Sequence, residues 1–123
     1  MSIIKWLEEW YESNCDGDWE HSSGINIENV DNPGWLIKFD IKYTLYEDVA
    51  FKDVTIDRAE HDWVRCRKRE DVIHCSGGSR NLEELLLIIK KSIEDNKPDP
   101  VAEKEHNQAI IEGREIYGIK FKN

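Results

Sequence analysis

The sequence has no long apolar run. In 123 residues, 35% of them charged and with a mean hydropathy of -0.69, nothing approaches the roughly 18 consecutive apolar residues that a membrane span needs. The opening Met1-Ser2-Ile3-Ile4-Lys5-Trp6 has no basic stretch followed by an apolar core, so no secretory leader is expected. Cysteine is scarce. Cys15, Cys66 and Cys75 make no CxxC pair, and an odd count without a leader reads as reduced thiols in a cytoplasm. Internal repeats and low-complexity tracts are absent. One domain is expected from the length.

The motifs of cofactor and metal chemistry are missing as well. Gly77-Gly78-Ser79-Arg80-Asn81 lacks the lysine of a nucleotide-binding loop and the spacing of a dinucleotide fingerprint, so it reads as a strand-to-helix loop. A calcium loop beginning at Asp16 would match Asp18 and Glu20. It fails at His21, where glycine is needed, and at Ile27, where a bidentate glutamate is needed. The four histidines, at 21, 61, 74 and 106, are too scattered for paired zinc ligands. No metal and no cofactor are expected.

Positive charge is short in the first half. Residues 1–60 carry 14 Asp/Glu against 5 Lys/Arg, which accounts for the whole formal charge of -9; residues 61–123 carry 12 of each. A field of that sign repels nucleic acid and attracts basic partners. Arg65, Arg67, Lys68, Arg69 and Arg80 form a small basic cluster without interleaved aromatics, and pairing with the acidic half explains it more simply than nucleic acid does.

What is present is a clear alternation of periods. Ile3, Leu7, Trp10 and Tyr11 fall on one face of a helix over 2–14 that Ser2 can cap, with Trp6 off the main stripe. Gly24 to Asn29 alternates, which predicts a strand with Ile25 and Ile27 inward. Asp31-Asn32-Pro33-Gly34 is a turn in which proline presets one backbone angle and glycine takes a positive one. Trp35, Ile37, Phe39, Ile41 and Tyr43 then alternate with Leu36, Lys38, Asp40 and Lys42, the signature of a sheet covered on one side. Further strands are expected over 53–58, 62–68 and 72–75, with Val64 and Cys66 inward. Asn81 and Glu84 make a capping-box-like pair ahead of the stripe Leu82, Leu85, Leu86, Ile89 and Ile93, widened by Leu87 and Ile88. Asp99-Pro100 opens a weaker helix to about Glu112 with Gly113 as its stop. Tyr117, Ile119 and Phe121 suggest a short last strand. The fold class is α+β: an N-terminal helix, an antiparallel β-meander of about five strands, and C-terminal helices packed on one sheet face. Residues 1–96 form the domain and residues 97–123 an extension.

The densest stretch is the hinge Cys15-Asp16-Gly17-Asp18-Trp19-Glu20-His21, echoed by Asp31-Asn32-Pro33-Gly34-Trp35. Asp16 and Asp18 are expected to accept backbone hydrogen bonds there, and His21 to pair with an acid. Trp19, flanked by charges, has the look of a binding hot spot, whereas Trp10, Trp35 and Trp63 read as core. Cys15 is a poor nucleophile, since the acids around it push its thiol in the unreactive direction. A persulfide-carrying loop would need the opposite charge.

These residues carry a resemblance. Trp6-Leu7-x-x-Trp10-Tyr11, the Cys15–His21 hinge, Gly24-Ile25-x-Ile27 and Asp31-Asn32-Pro33-Gly34-Trp35 resemble the immunity protein 53 family. Asp62-Trp63-x-x-Cys66 and Asn81-Leu82-Glu83-Glu84-Leu85 are similar to its later landmarks. The likeness covers residues 3–93. Glu28-Asn29-Val30 departs from the threonine-rich segment expected there, and residues 97–123 match nothing in it. The resemblance implies a bacterial, cytoplasmic immunity protein that binds and neutralises the cognate toxin of a polymorphic toxin system, with nucleases among the candidate toxins. No enzyme activity and no nucleic-acid or membrane partner are expected. An acidic face of the N-terminal half is the expected contact, and either monomer or homodimer fits. The candidate toxin-binding or hinge residues are Cys15, Asp16, Asp18, Trp19, Glu20, His21, Asp31, Asn32 and Trp35. The competing readings are a small sulfurtransferase-like enzyme using Cys15 and a ligand- or metal-binding module.

Overall fold

A computed structural model describes residues 2–118. Helix α1 (Ile3–Asn14) starts where the Ser2 hydroxyl accepts the Lys5 amide at 3.1 Å. Its buried stripe runs through Trp10 and Asn14, with Ile3, Trp6 and Leu7 half-buried against the core. The stripe is therefore turned slightly from the expected one. Trp6 stacks on Phe39 at 6.4 Å between ring centroids, while Tyr11 lies at the rim, 39% exposed. After the single-turn helix α2 (Trp19–Ser22), strands β1 (Ile25–Val30) and β2 (Gly34–Asp40) form a hairpin. Strands β3 (Val54–Ala59), β4 (Asp62–Arg69) and β5 (Val72–Gly78) follow, then helices α3 (Leu82–Asp95) and α4 (Pro100–Ile116).

The five strands make one antiparallel sheet, as the alternation predicts, in the order β1-β2-β5-β4-β3. The chain does not meander straight across. The three-stranded unit β3–β5 folds back so that its last strand, β5, pairs with β2 and becomes the centre of the sheet. Ile37, Phe39 and Ile41 of the β2 segment are wholly buried, and so are Val64 of β4 and Leu85 of α3. Each such side chain contributes about 1.5–3 kcal/mol by leaving water. Trp35 is half-buried at the margin of this face, its indole N–H donating to the Ser79 carbonyl at 3.0 Å. Tyr43, expected to extend the strand, instead sits in a left-handed turn (φ 62) and is 64% exposed. Ile27 pairs with Ile37, so it is on the covered side as expected, yet it is 38% exposed because β1 is an edge strand that the helices do not reach across. Val64 and Cys66 point inward as expected.

Gly34 has a different role from the one its turn suggests. Its φ is not positive. A side chain there would put Cβ 2.4 Å from the Gly77 carbonyl oxygen, so glycine is required by the close approach of β2 to β5. In α3, Leu85, Leu86, Ile89 and Ile93 are buried, whereas Leu87, expected to widen the stripe, is 46% exposed. Asn81 does not cap this helix through its side chain. Its amide bridges Asp62 and Glu84, each at 3.0 Å, and so ties the helix start to β4. Asp99 caps α4 by accepting the Val101 amide at 2.8 Å with Pro100 in the first turn. The helix does not stop at Gly113 but runs through it to Ile116. Tyr117 lies in the turn that follows, and positions 119 and 121 of the expected last strand lie outside the described residues. Among the described residues no helix is long and apolar enough to cross a membrane.

Candidate functional site

The hinge is built around backbone amides that a sharp turn and the start of a helix leave without partners. Helix α1 closes with the Cys15 amide on the Glu12 carbonyl at 3.1 Å. Gly17 then takes a φ of 97, which favours glycine. One carboxylate oxygen of Asp16 accepts the amides of both Asp18 and Trp19 at 2.9 Å and so launches α2. The Glu20 carboxylate reaches back to the amides of Asp16 at 3.0 Å and Gly17 at 2.8 Å. Acceptance of backbone amides, expected of Asp16 and Asp18, thus belongs to Asp16 and Glu20. Asp18 is exposed and makes no side-chain cap. His21 is exposed as well, and among the described residues its ring has no acid partner.

Trp19 is 4% exposed, which corrects its reading as a rim hot spot. Its ring meets Trp10 edge-on at 6.0 Å and Tyr11 at 5.9 Å, and its indole N–H donates to the Lys42 carbonyl at 2.8 Å. A buried aromatic whose one polar atom is satisfied by backbone is a structural anchor. Cys15 is buried beside it, its thiol donating to the Tyr11 carbonyl at 3.2 Å. Burial first, then the Glu20 charge, pushes the Cys15 thiol above its ordinary value, away from the thiolate a nucleophile needs. Burial also raises the neighbouring Tyr11 hydroxyl.

The C-terminal helix docks on this junction, which no local pattern signals. Arg114 donates from Nε to the Cys15 carbonyl and from a terminal nitrogen to the Glu12 carbonyl, both at 2.8 Å, and so binds two carbonyls at the end of α1. Gly113 lets the helices approach, since a Cβ there would lie 3.2 Å from both Cβ and the carbonyl oxygen of Asp16. Burial lowers His106, against the opposing pull of Asp16. Gly113, Arg114 and His106 are separated from the hinge by about ninety residues or more of sequence, so only the folded chain reveals them.

The two sequence motifs are not brought together. Cys15–His21 lies at the Asp40 end of β2, where the Asp40 carboxylate accepts the Gly24 amide at 2.9 Å. Asp31 and Asn32 lie in the exposed turn before Gly34, at the opposite end. A strand of this length separates them by about 20 Å.

The rest of the charged surface sorts by sheet face. Arg65, Arg67 and Arg69 alternate on β4 and point to the side away from Val64 and Cys66, around a depression of about 530 Å3 that His74 and Leu36 also line. Arg65 is held by Asp57 at 2.7 Å and lies 5.4 Å over the Trp63 ring. Lys68 turns the other way and donates to the Val49 carbonyl at 2.8 Å, fastening the 44–52 connection to the sheet. Cys66 and Cys75 face each other across β4 and β5, buried and free, and donation of the Cys75 S–H to Cys66 together with burial raises the Cys75 thiol. Among the described residues no group of three His, Cys, Asp or Glu side chains is placed to hold a metal ion.

No curated protein and no solved structure matches the chain. The family model described as Immunity protein 53 matches residues 4–94, from the second residue of α1 to the last turn of α3, and takes in the hinge, the whole sheet and the helices that cover it. The chain belongs to the Immunity protein 53 family.

Proposed function

We propose that this chain binds the cognate toxin of a bacterial polymorphic toxin system in the cytoplasm of the producing cell and neutralises it one-to-one, without turnover. The observation that carries this reading is the family match over residues 4–94. The net charge of -9 supports the kind of partner. A nuclease with a basic cleft is the toxin class that an acidic inhibitor suits, because complementary fields speed association. Residues 1–96 form the inhibitory unit, and residues 97–123 form an extension whose helix α4 braces the hinge.

The contact we assign to the toxin is the acidic side of the N-terminal half. Glu8, Glu12 and Asp48 are exposed there, with Glu47 partly so. Asp18 and His21 add the exposed rim of the hinge, and Asp31 and Asn32 the far turn. Cys15, Asp16, Trp19 and Glu20 hold the junction from inside, and Trp35 seals the margin of the sheet. The buried Cys15 with its raised thiol supports an inhibitor over a sulfurtransferase-like enzyme.

Titration of the toxin with this protein, following residual activity and binding kinetics at two salt concentrations, tests the reading. Full inhibition is expected at one equivalent, with an association rate that falls as salt rises. Glu8→Lys with Glu12→Lys should slow association more than it speeds dissociation. Inhibition at far less than one equivalent would mean turnover. Protection indifferent to salt and to the reversals would exclude the acidic face while leaving immunity intact.

A further inference from the structure

The sheet has two edges, and only one of them is guarded. Along β3 the register shifts between Asp57 and Ala59, a bulge that disrupts further pairing, and Asp53, Asp57 and Arg58 stud the strand and its approach. Arg58 is tied across to Asp62 and Glu84. Bulges and charges are how proteins blunt an exposed edge. Strand β1 has no bulge and a single charge, Glu28. Its six residues pair with β2 in unbroken register, and it contains no proline, lysine or arginine.

The direction of the free backbone groups follows from the ladder. The Asp40 amide donates to the Gly24 carbonyl at 3.0 Å, and bonding alternates along an antiparallel strand. Asn26, Glu28 and Val30 therefore share the direction of Gly24, toward β2. Ile25, Ile27 and Asn29 present their N–H and C=O groups outward, where no described residue meets them. Beside this edge, on the helix-covered side, lies an open groove of about 430 Å3 lined by Leu7, Tyr11, Ile25 and Ile27.

We propose that β1 pairs antiparallel with β1 of a second copy of the chain, with the two-fold axis at Ile27, to make one continuous sheet. Two-fold pairing must set residues of equal parity opposite each other, or core-side residues would face open-side ones. Two central registers satisfy this. Centring on Glu28 places two glutamates directly opposite each other and leaves two outward-bonding pairs. Centring on Ile27 gives three: Ile25 with Asn29 of the partner subunit, Ile27 with Ile27 of the partner subunit, and Asn29 with Ile25 of the partner subunit. In that register each Glu28 faces Asn26 of the partner subunit, a carboxylate against an amide donor, and the two isoleucines meet at the mouth of the apolar groove. The strand is thus complementary to itself in one register. Two copies at -9 each repel at long range, so this association tightens as salt rises, the reverse of the toxin complex.

Sedimentation of the whole protein at low and high salt, over about 1 μM to 1 mM, tests the proposal. A monomer–dimer equilibrium that shifts toward dimer with salt is expected. Asn29→Pro removes an outward N–H without touching the bonds to β2, and Ile27→Lys puts a charge at the axis. Each should weaken dimerisation by about tenfold or more while circular dichroism and the melting midpoint stay near those of the parent. Asn26→Lys places an ammonium opposite each Glu28 and should tighten the dimer several-fold more than Asn32→Lys, which adds the same charge outside the strand. A protein that remains monomeric at about 1 mM overturns the proposal. So does a dimer that ignores both Asn29→Pro and Ile27→Lys. A monomer whose toxin binding is lost on Asn29→Pro overturns it too, and assigns the edge to a strand of the toxin.

Discussion

The hinge at 15–21 and the turn at 31–35 are built from the same residue types and use them in opposite ways. Each combines aspartate, glycine and tryptophan. In the hinge, Asp16 and Glu20 spend their carboxylates on four backbone amides, and Trp19 is buried with its indole N–H on the Lys42 carbonyl. In the turn, Asp31 and Asn32 face solvent and Trp35 only closes the margin of the core. The glycines differ as well. Gly17 is needed for its positive φ, Gly34 for its contact with the Gly77 backbone. A helix that ends just before another begins leaves amides to be satisfied from within, whereas a hairpin turn leaves them to water. An acidic cluster in sequence is therefore a structural device at one end of β2 and an exposed surface at the other.

Substitutions sharpen this contrast, beginning with the largest effect. Trp19→Ala should cost about 3–5 kcal/mol in urea unfolding, since it removes a buried anchor against Trp10 and Tyr11. A loss under about 0.5 kcal/mol, the range of surface positions, would return Trp19 to the rim. Next, Gly34→Ala should cost about 1–3 kcal/mol by forcing β2 away from β5, and amide exchange should quicken at Gly77 and Gly78. Asp16→Ala, which frees two amides at the start of α2, should cost about 1 kcal/mol, a typical cap loss, and should lower the melting midpoint. Last, Asp31→Ala should move stability by less than about 0.5 kcal/mol. If Asp16→Ala and Asp31→Ala proved equal in the same melts, the two motifs would not differ as described.

Several features are legible without the structure because they depend on neighbours in sequence. Ser2 and Asp99 cap their helices as their spacing predicts, and of the stripe Leu82, Leu85, Leu86, Ile89 and Ile93 all are buried except Leu82, which is half-buried. The hinge is visible as a dense segment, and Asp16 as an acceptor, because such bonds span two or three residues. The readings that changed involve partners far along the chain. Trp19 needs Lys42 to be buried. Gly113 continues a helix where it would ordinarily stop one, because it packs on Asp16. Ile27 keeps its predicted side yet stays exposed, because burial at an edge depends on how far the helices extend.

Period and capping chemistry alone determine that this chain makes a one-sided sheet with amphipathic helices, since alternation and the 3.6-residue repeat are properties of the local backbone. Packing decides the rest. Strand order is set by which edges meet, so β5 joining β2 cannot be read from either strand by itself. The fate of each acid is set by whether unpaired amides lie within reach, and the docking of α4 on the hinge by a contact about a hundred residues long in sequence. Long-range closure is paid in chain entropy and repaid only by the assembled core, so it is decided by the tertiary structure as a whole.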